Sequence, residues 1–238
     1  LRNHPSIAVW CGNNEMEVAW NNWGWQKQFG WSAKDSTEIW KTYQMYFHEL
    51  IPQLLKMYNP SAIYTPTSPL SNWGTPENFN HSSMHYWGVW HGKESFEDYE
   101  KNVGRFMVEY GFQSYPEMAT IQSFCEPKDQ KLNSKVMENR QKSYIGNGEI
   151  MRQILKYYKK PKSFDEFVER SQDVQAKAME IAINAHIKAQ PHCMGTMFWQ
   201  LNDCWPGPSW SVIDYYGREK KAYQVVKKLF NEKLKIKN

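Results

Sequence analysis

The sequence predicts an α/β fold built on a parallel sheet, and three observations carry that prediction. Short apolar runs of strand length recur along the chain, amphipathic helical stretches separate them, and no internal repeat or low-complexity tract breaks the alternation. At 238 residues there is room for one large domain or two small ones.

The elements follow in order. Ile7-Ala8-Val9-Trp10, behind the breaker His4-Pro5-Ser6, reads as a buried parallel strand. An aromatic loop from Trp20 to Trp31 carries Trp20, Trp23, Trp25 and Trp31. A helix is expected from an N-cap near Asp35 or Ser36. Its apolar positions from Ile39 to Tyr58 keep helical spacing, Pro52 kinks it and Asn59-Pro60 ends it. Ala62-Ile63-Tyr64-Thr65 is the second strand, and a loop rich in Ser, Asn and Gly runs from Ser68 to Ser83. His85 to Trp90 reads as a third strand or strand end, Phe96 to Val103 as a short helix, and Phe106-Met107-Val108 as a strand leading into Glu109. From Pro116 to Lys162 the pattern is irregular, with helical patches such as Glu149 to Tyr158. Ser163-Phe164-Asp165-Glu166 spells a capping box that opens a long helix closed by Pro191. Met194 to Trp199 is the last strand. A tryptophan-rich loop from Leu201 to Trp210 then precedes a helix near Glu219 to Phe230.

Composition narrows the functional classes. The chain has 12 Trp, 14 Tyr and 11 Phe; most of the tryptophans read as core packing, and indole faces also suit the apolar faces of sugars. Net charge is only +4. The densest basic stretch, Lys156 to Lys162, is followed at once by Asp165, Glu166 and Glu169, which marks solvated surface and not a nucleic-acid footprint. No apolar run approaches the length of a membrane span. Cys11, Cys125, Cys193 and Cys204 form no C-x-x-C pair and no disulfide framework; Cys11 and Cys193 read as small hydrophobes within strand-like runs. His81, His85 and His91 match no zinc spacing, so no metal and no cofactor is expected, and no nucleophile elbow supports serine hydrolase chemistry. Asn80-His81-Ser82 has the form of a glycosylation sequon.

Two segments carry the chemistry. Trp10-Cys11-Gly12-Asn13-Asn14-Glu15 and Glu109-Tyr110-Gly111-Phe112-Gln113-Ser114-Tyr115-Pro116 each place one carboxylate at the tip of a predicted strand. Their separation is too long for one supersecondary unit and fits two strands of a (β/α)8 barrel with three βα units between, whose C-terminal ends share a face. Paired carboxylates are the minimum equipment for cleaving a glycosidic bond: one protonates the leaving oxygen, and the other attacks or stabilises the anomeric carbon. Alone, Glu15 reads equally well as a carboxylate favoured by a helix N-terminus, and Glu17 and Glu117 read as surface acids.

His4-Pro5-Ser6-Ile7 followed by Trp10 to Glu15 resembles the acid/base signature of glycoside hydrolase family 2, and Gly12-Asn13-Asn14-Glu15 is similar to its β-mannosidases. Glu109 to Pro116 resembles the β-mannosidase nucleophile segment. Phe198-Trp199-Gln200-Leu201-Asn202-Asp203, Trp205-Pro206, Ser209-Trp210-Ser211 and Asp214-Tyr215 resemble the end of the eighth barrel strand and the loop behind it. The resemblance implies a partial (β/α)8 TIM barrel, approximately strands 4 to 8 with their helices. The whole chain, 1–238, would be the C-terminal portion of a catalytic barrel whose N-terminal domains and strands 1 to 3 belong to a missing N-terminal part of the same protein. It implies retaining release of terminal β-mannose, with Glu15 as acid/base and Glu109 as nucleophile. Asn14 would bind the 2-hydroxyl, and Trp23 and Trp199 would wall the −1 sugar. His85 and Trp90 lie near a strand-6 group that touches the nucleophile. The implied partner is a β-mannoside oligosaccharide or glycoconjugate, with no nucleic acid and no membrane, and a periplasmic, secreted or lysosomal location are all open. The alternatives are another family 2 exo-β-glycosidase, such as an exo-β-glucosaminidase, and a non-catalytic carbohydrate-binding fragment.

Overall fold

The computed structural model describes residues 3–73 and 81–233, so Asn80 of the sequon and part of the loop expected from Ser68 to Ser83 lie outside the described residues. The chain divides into two compact units, Leu1–His85 and Tyr86–Asn238. It is an α/β fold with short strands and parallel pairings. No described helix is long and apolar enough to cross a membrane.

In the first unit β1, Trp10–Cys11, pairs in parallel with β2, Tyr64–Thr65, in the register Trp10 to Tyr64 and Cys11 to Thr65. Gly12 follows β1 because a Cβ there would come within 2.4 Å of the Pro66 carbonyl oxygen and 2.8 Å of the Phe47 ring. The predicted burial of this strand fails. Val9 is 52% exposed, Ile63 is 64% exposed and Cys11 is exposed. The two strands flank each other, and among the described residues of this unit no other strand covers them.

The aromatic stretch expected as a loop is helical, forming α1, Met16–Asn22, and α2, Trp25–Gln28. Trp31, Trp20, Trp40 and Tyr43 stack in sequence with centroid spacings of 5.7, 5.3 and 5.0 Å. Both faces of Trp20 and of Trp40 are therefore occupied by other rings, which makes this stack packing and not a sugar platform. The next helix, α3, Ala33–Gln44, starts earlier than expected. Ser32 is the N-cap and Asp35 the third residue of a complete capping box, so the expected cap at Asp35 was the box's far end. A π-helical turn, Met45–Leu50, carries the helix into α4, Ile51–Tyr58. Pro52 thus follows the π-helical turn within a continuous helix, and the Phe47 carbonyl, which its missing N–H cannot reach, accepts from Tyr64 OH at 2.7 Å. The strands β3, Ser71–Asn72, and β4, Met84–His85, then pair in parallel, Ser71 with Met84 and Asn72 with His85.

In the second unit α5, Asp98–Lys101, precedes β5, Met107–Glu109. The run Met194 to Trp199, predicted as a strand, makes only a single parallel bridge, Met107 with Thr196, through Met107 N to Gly195 O (3.0 Å) and Met197 N to Met107 O (2.7 Å). The region from Pro116 to Lys162 holds α6, Met118–Gln122, α7, Lys135–Arg140, and α8, Gly146–Tyr157. The long helix α9, Phe164–Lys188, keeps half of its predicted capping box. Ser163 accepts from Glu166 N, but the Glu166 carboxylate reaches back to Lys162 N and not to Ser163 N. The last helix, α10, Lys221–Lys233, follows a loop that Asp203 gathers by accepting from Ser209 Oγ, Ser211 Oγ and Gln200 Nε2. Gln175 of α9, fully buried, ties that loop to the segment after β5. Its Nε2 lies within 3.1 Å of the Phe112, Trp210 and Ser211 carbonyls, and its Oε1 accepts from Ser114 Oγ at 2.7 Å.

Candidate active site

In the first unit, the candidate carboxylate Glu15 stands at the turn from β1 into α1. Glu15 is the residue before α1 and adopts a left-handed backbone, φ 60° and ψ 9°. A non-glycine residue in that region costs about 1–3 kcal/mol and persists only where its surroundings hold it. Here Glu15 N donates to Ser68 O at 2.6 Å, Glu15 O receives Ala19 N, and Ser68 N donates to Asn13 O. Asn13 locks the turn from the side. Its Oδ1 accepts from Met16 N and Thr67 Oγ1, and its Nδ2 donates to Pro66 O and Tyr43 OH, so its amide is saturated. Asn14, by contrast, is exposed, and among the described residues its amide makes no hydrogen bond, which leaves it available to a ligand. Glu17 is not a free surface acid, because it receives Tyr43 OH at 3.1 Å and meets His48 Nε2 at 2.7 Å.

The Glu15 carboxyl turns onto His85. Nδ1 of His85 lies 2.7 Å from Glu15 Oε1, and His85 Nε2 lies 3.1 Å from Ser68 Oγ. The His85 side chain is 1% exposed, and that of Glu15 19%. The structure therefore brings Glu15 and His85 together, giving the imidazole a partner in the candidate acid/base. Trp23 stands apart from this network at the C-cap of α1. It is 48% exposed, and its ring meets Trp25 edge-on at 6.3 Å.

In the second unit, the candidate carboxylate Glu109 lies at the end of β5. Glu109 Oε2 receives Trp87 Nε1 at 3.3 Å, and the Glu109 carbonyl receives Tyr86 N at 2.9 Å. Trp87 in turn meets Trp210 edge-on at 6.0 Å. Trp199 is 44% exposed, and its backbone N donates to Tyr110 O, which brings it beside the residue after Glu109. Gly111 permits that approach, since a Cβ there would lie 2.2 Å from Trp199 O and 3.4 Å from Trp210 Cδ1. Gly111→Ala is expected to destabilise the protein by about 1–3 kcal/mol through overpacking, read as a lowered urea midpoint, and to push Trp199 away from Tyr110.

Trp90 is a correction. It is fully buried, packed edge-on between Phe112 and Trp210, and its indole N–H is spent on Ser143 Oγ at 3.2 Å, so this ring is core of the second unit and presents no face to a sugar. The tryptophan that reaches the carboxylate is Trp87, which sequence reasoning missed. The one signal for it was its place between His85 and Trp90 in a segment already singled out. Buried tyrosines line the same unit, and burial raises the Tyr99, Tyr110 and Tyr115 hydroxyls above the ordinary phenol value.

Comparison with known proteins accords with the sequence resemblance. No family model matches the chain. Beta-mannosidase B of Aspergillus clavatus is 32% identical over 240 residues, covering 97% of this chain and 28% of the relative. The Beta-mannosidase B of Aspergillus niger is 30% identical over 239 residues, with the same coverage. The crystal structure of a β-D-mannosidase from Dictyoglomus thermophilum superposes with a TM-score of 0.85 at 33% identity, covering 98% of this chain and 27% of that one. An exo-chitosanase from Amycolatopsis orientalis superposes over 75% of this chain with a TM-score of 0.55 at 17% identity, a likeness of fold alone. The chain spans little more than a quarter of the length of the curated relatives it matches. Along nearly its whole length, the chain is similar in both sequence and structure to one stretch of these β-mannosidases.

Proposed function

We propose that the chain forms the C-terminal portion, approximately strands 4 to 8, of the (β/α)8 catalytic barrel of a retaining exo-β-mannosidase of glycoside hydrolase family 2. The observation that carries the reading is Glu15, held in a left-handed turn at the tip of β1 with its carboxyl fixed on buried His85. A strained residue over-determined by its neighbours is a common mark of a working site. The parallel segments β1, β2, β4, β5 and the bridge at Thr196 would supply the five strands. The exposed apolar residues Val9 and Ile63 beside β1 and β2 suit contact with the part of the full-length protein that precedes this chain.

In this reading Glu15 gives its proton to the glycosidic oxygen as the C1–O bond breaks, while the Glu109 carboxylate forms a bond to C1. Water then attacks C1, giving a proton back to Glu15 and releasing Glu109. Trp87 N–H steadies the Glu109 oxygen that is not attacking, Asn14 binds a hydroxyl of the sugar, and the exposed Trp199 ring lies against its apolar face.

The test is the anomer released first from an aryl β-mannoside by the full-length protein, followed by proton NMR. β-Mannose is expected as the first product, and α-mannose would overturn retention. A substrate panel decides the sugar. Preference for β-glucosaminides over β-mannosides would reassign the specificity. Mannose binding by calorimetry with no turnover of either would leave a carbohydrate-binding protein.

A further inference from the structure

The Ser68 hydroxyl has no role in the proposed reaction as written, yet it is fixed at the site with little freedom. Its backbone is tied to both sides of the acid/base turn, through Ser68 N to Asn13 O and Glu15 N to Ser68 O, and Asn14 pairs with it in a parallel bridge. From there Ser68 Oγ meets His85 Nε2 at 3.1 Å, and the other ring nitrogen meets Glu15 at 2.7 Å. A neutral imidazole carries one N–H and one lone pair. A serine donating to Nε2 leaves the N–H on Nδ1, where it points at the carboxyl.

We propose that Ser68 is a positioning residue for the acid/base: it sets the His85 tautomer so that an N–H donor holds Glu15 Oε1 and leaves Oε2 for the glycosidic oxygen. With the hydroxyl removed, buried Nε2 loses this donor, and the tautomer that carries its proton on Nε2 turns a lone pair toward Glu15. The Glu15 carboxyl then loses the bond that aims it. The inference rests on Glu15 being the acid/base.

The test is kcat/KM of the full-length protein on two β-mannosides, because this ratio reports the step that breaks the first bond. A dinitrophenyl mannoside leaves without a proton, whereas an alkyl mannoside needs one. Ser68→Ala is expected to lose about tenfold on the alkyl substrate, a fraction of what general acid catalysis supplies, and to stay within about twofold on the dinitrophenyl substrate. Ser68→Thr, which keeps the hydroxyl, should restore the alkyl activity. An equal loss on both substrates would show a purely structural serine, and no loss on either would show an idle one; each overturns the proposal. Glu15→Ala separates this from the parent reading, since it must show the same leaving-group pattern at larger amplitude. If it does not, Glu15 is not the acid and the functional reading itself fails.

Discussion

Glu109→Ala in the full-length protein is expected to lower kcat/KM on an aryl β-mannoside by about 10⁴-fold or more, and added azide to restore part of the activity with a product of opposite anomeric configuration. Loss of a covalent nucleophile removes a whole route and not one hydrogen bond, which is why effects of this size are usual. The carboxylate removed here stands at the end of β5 with Trp87 N–H on one oxygen. The shortened side chain leaves space where azide can sit. Azide then attacks C1 from the Glu109 side as the aryloxide departs, and α-mannosyl azide results. Glu15→Ala gives the complementary outcome. On a dinitrophenyl substrate the mannosyl–Glu109 ester still forms, azide replaces water from the opposite face, and β-mannosyl azide results. The two products assign the two roles independently. If both variants gave the same anomer, or Glu109→Ala retained full activity, the division of labour between these carboxylates would be wrong.

Much of this site was legible in the sequence because its backbone demands fall on single residues within short motifs. Gly12 is needed where the chain passes the Pro66 carbonyl, Asn13 where a side chain must fill four hydrogen bonds of a turn, and Gly111 where Trp199 O approaches. Most of the partners lie far along the chain, but each demand is met by one residue type at one position, which leaves a readable motif. What escaped depends on direction and not on residue type. Trp87 and Trp90 lie within one turn, and which ring reaches Glu109 is decided by how that turn closes, with Trp90 N donating to Trp87 O. Periodicity carries no such information. The run Met194 to Trp199 has strand composition but forms one bridge, because its remaining backbone bonds go to Arg105 and Tyr110 at offset positions. The stretch Trp20 to Trp31 reads as a loop by its Gly and Trp content, yet ring stacking with Trp40 packs it as two short helices.

Lys220 is the case where composition misleads most, and it yields a prediction about stability. In the sequence it stands in Arg218-Glu219-Lys220-Lys221, which looks like solvated surface, but the structure buries it completely. Its ammonium lies 3.3–3.4 Å from Ser114 O, Ser114 Oγ and Ser209 O. Burial pushes its pKa down to about 8, against the opposing pull of Asp203, Asp214 and Glu117. An unfolded lysine titrates near 10.4. Between those values the unfolded chain binds a proton that the folded chain does not, so stability rises with pH across that window and is lost again as pH falls to 8. The size is about 3 kcal/mol at the conversion of about 1.4 kcal/mol per pH unit. The buried tyrosines act in the opposite direction. Their raised values keep them protonated in the fold, so stability falls once the pH passes about 10, where unfolded phenols ionise. The variant Lys220→Met separates the two, because it removes only the lysine. The carbonyls it leaves keep donors, since Ser114 and Ser209 bond each other's backbone in both directions at 2.9 and 3.1 Å. At pH 7 the variant is expected to be more stable than the parent, because it removes the desolvation of the Lys220 ammonium, which outweighs the pull of Asp203, Asp214 and Glu117. Its advantage should shrink steadily from pH 8 to 10 in urea unfolding followed by tryptophan emission. A difference that stays constant over that range would show that Lys220 carries its charge at no cost, and that Asp203 and Asp214 fully offset its burial.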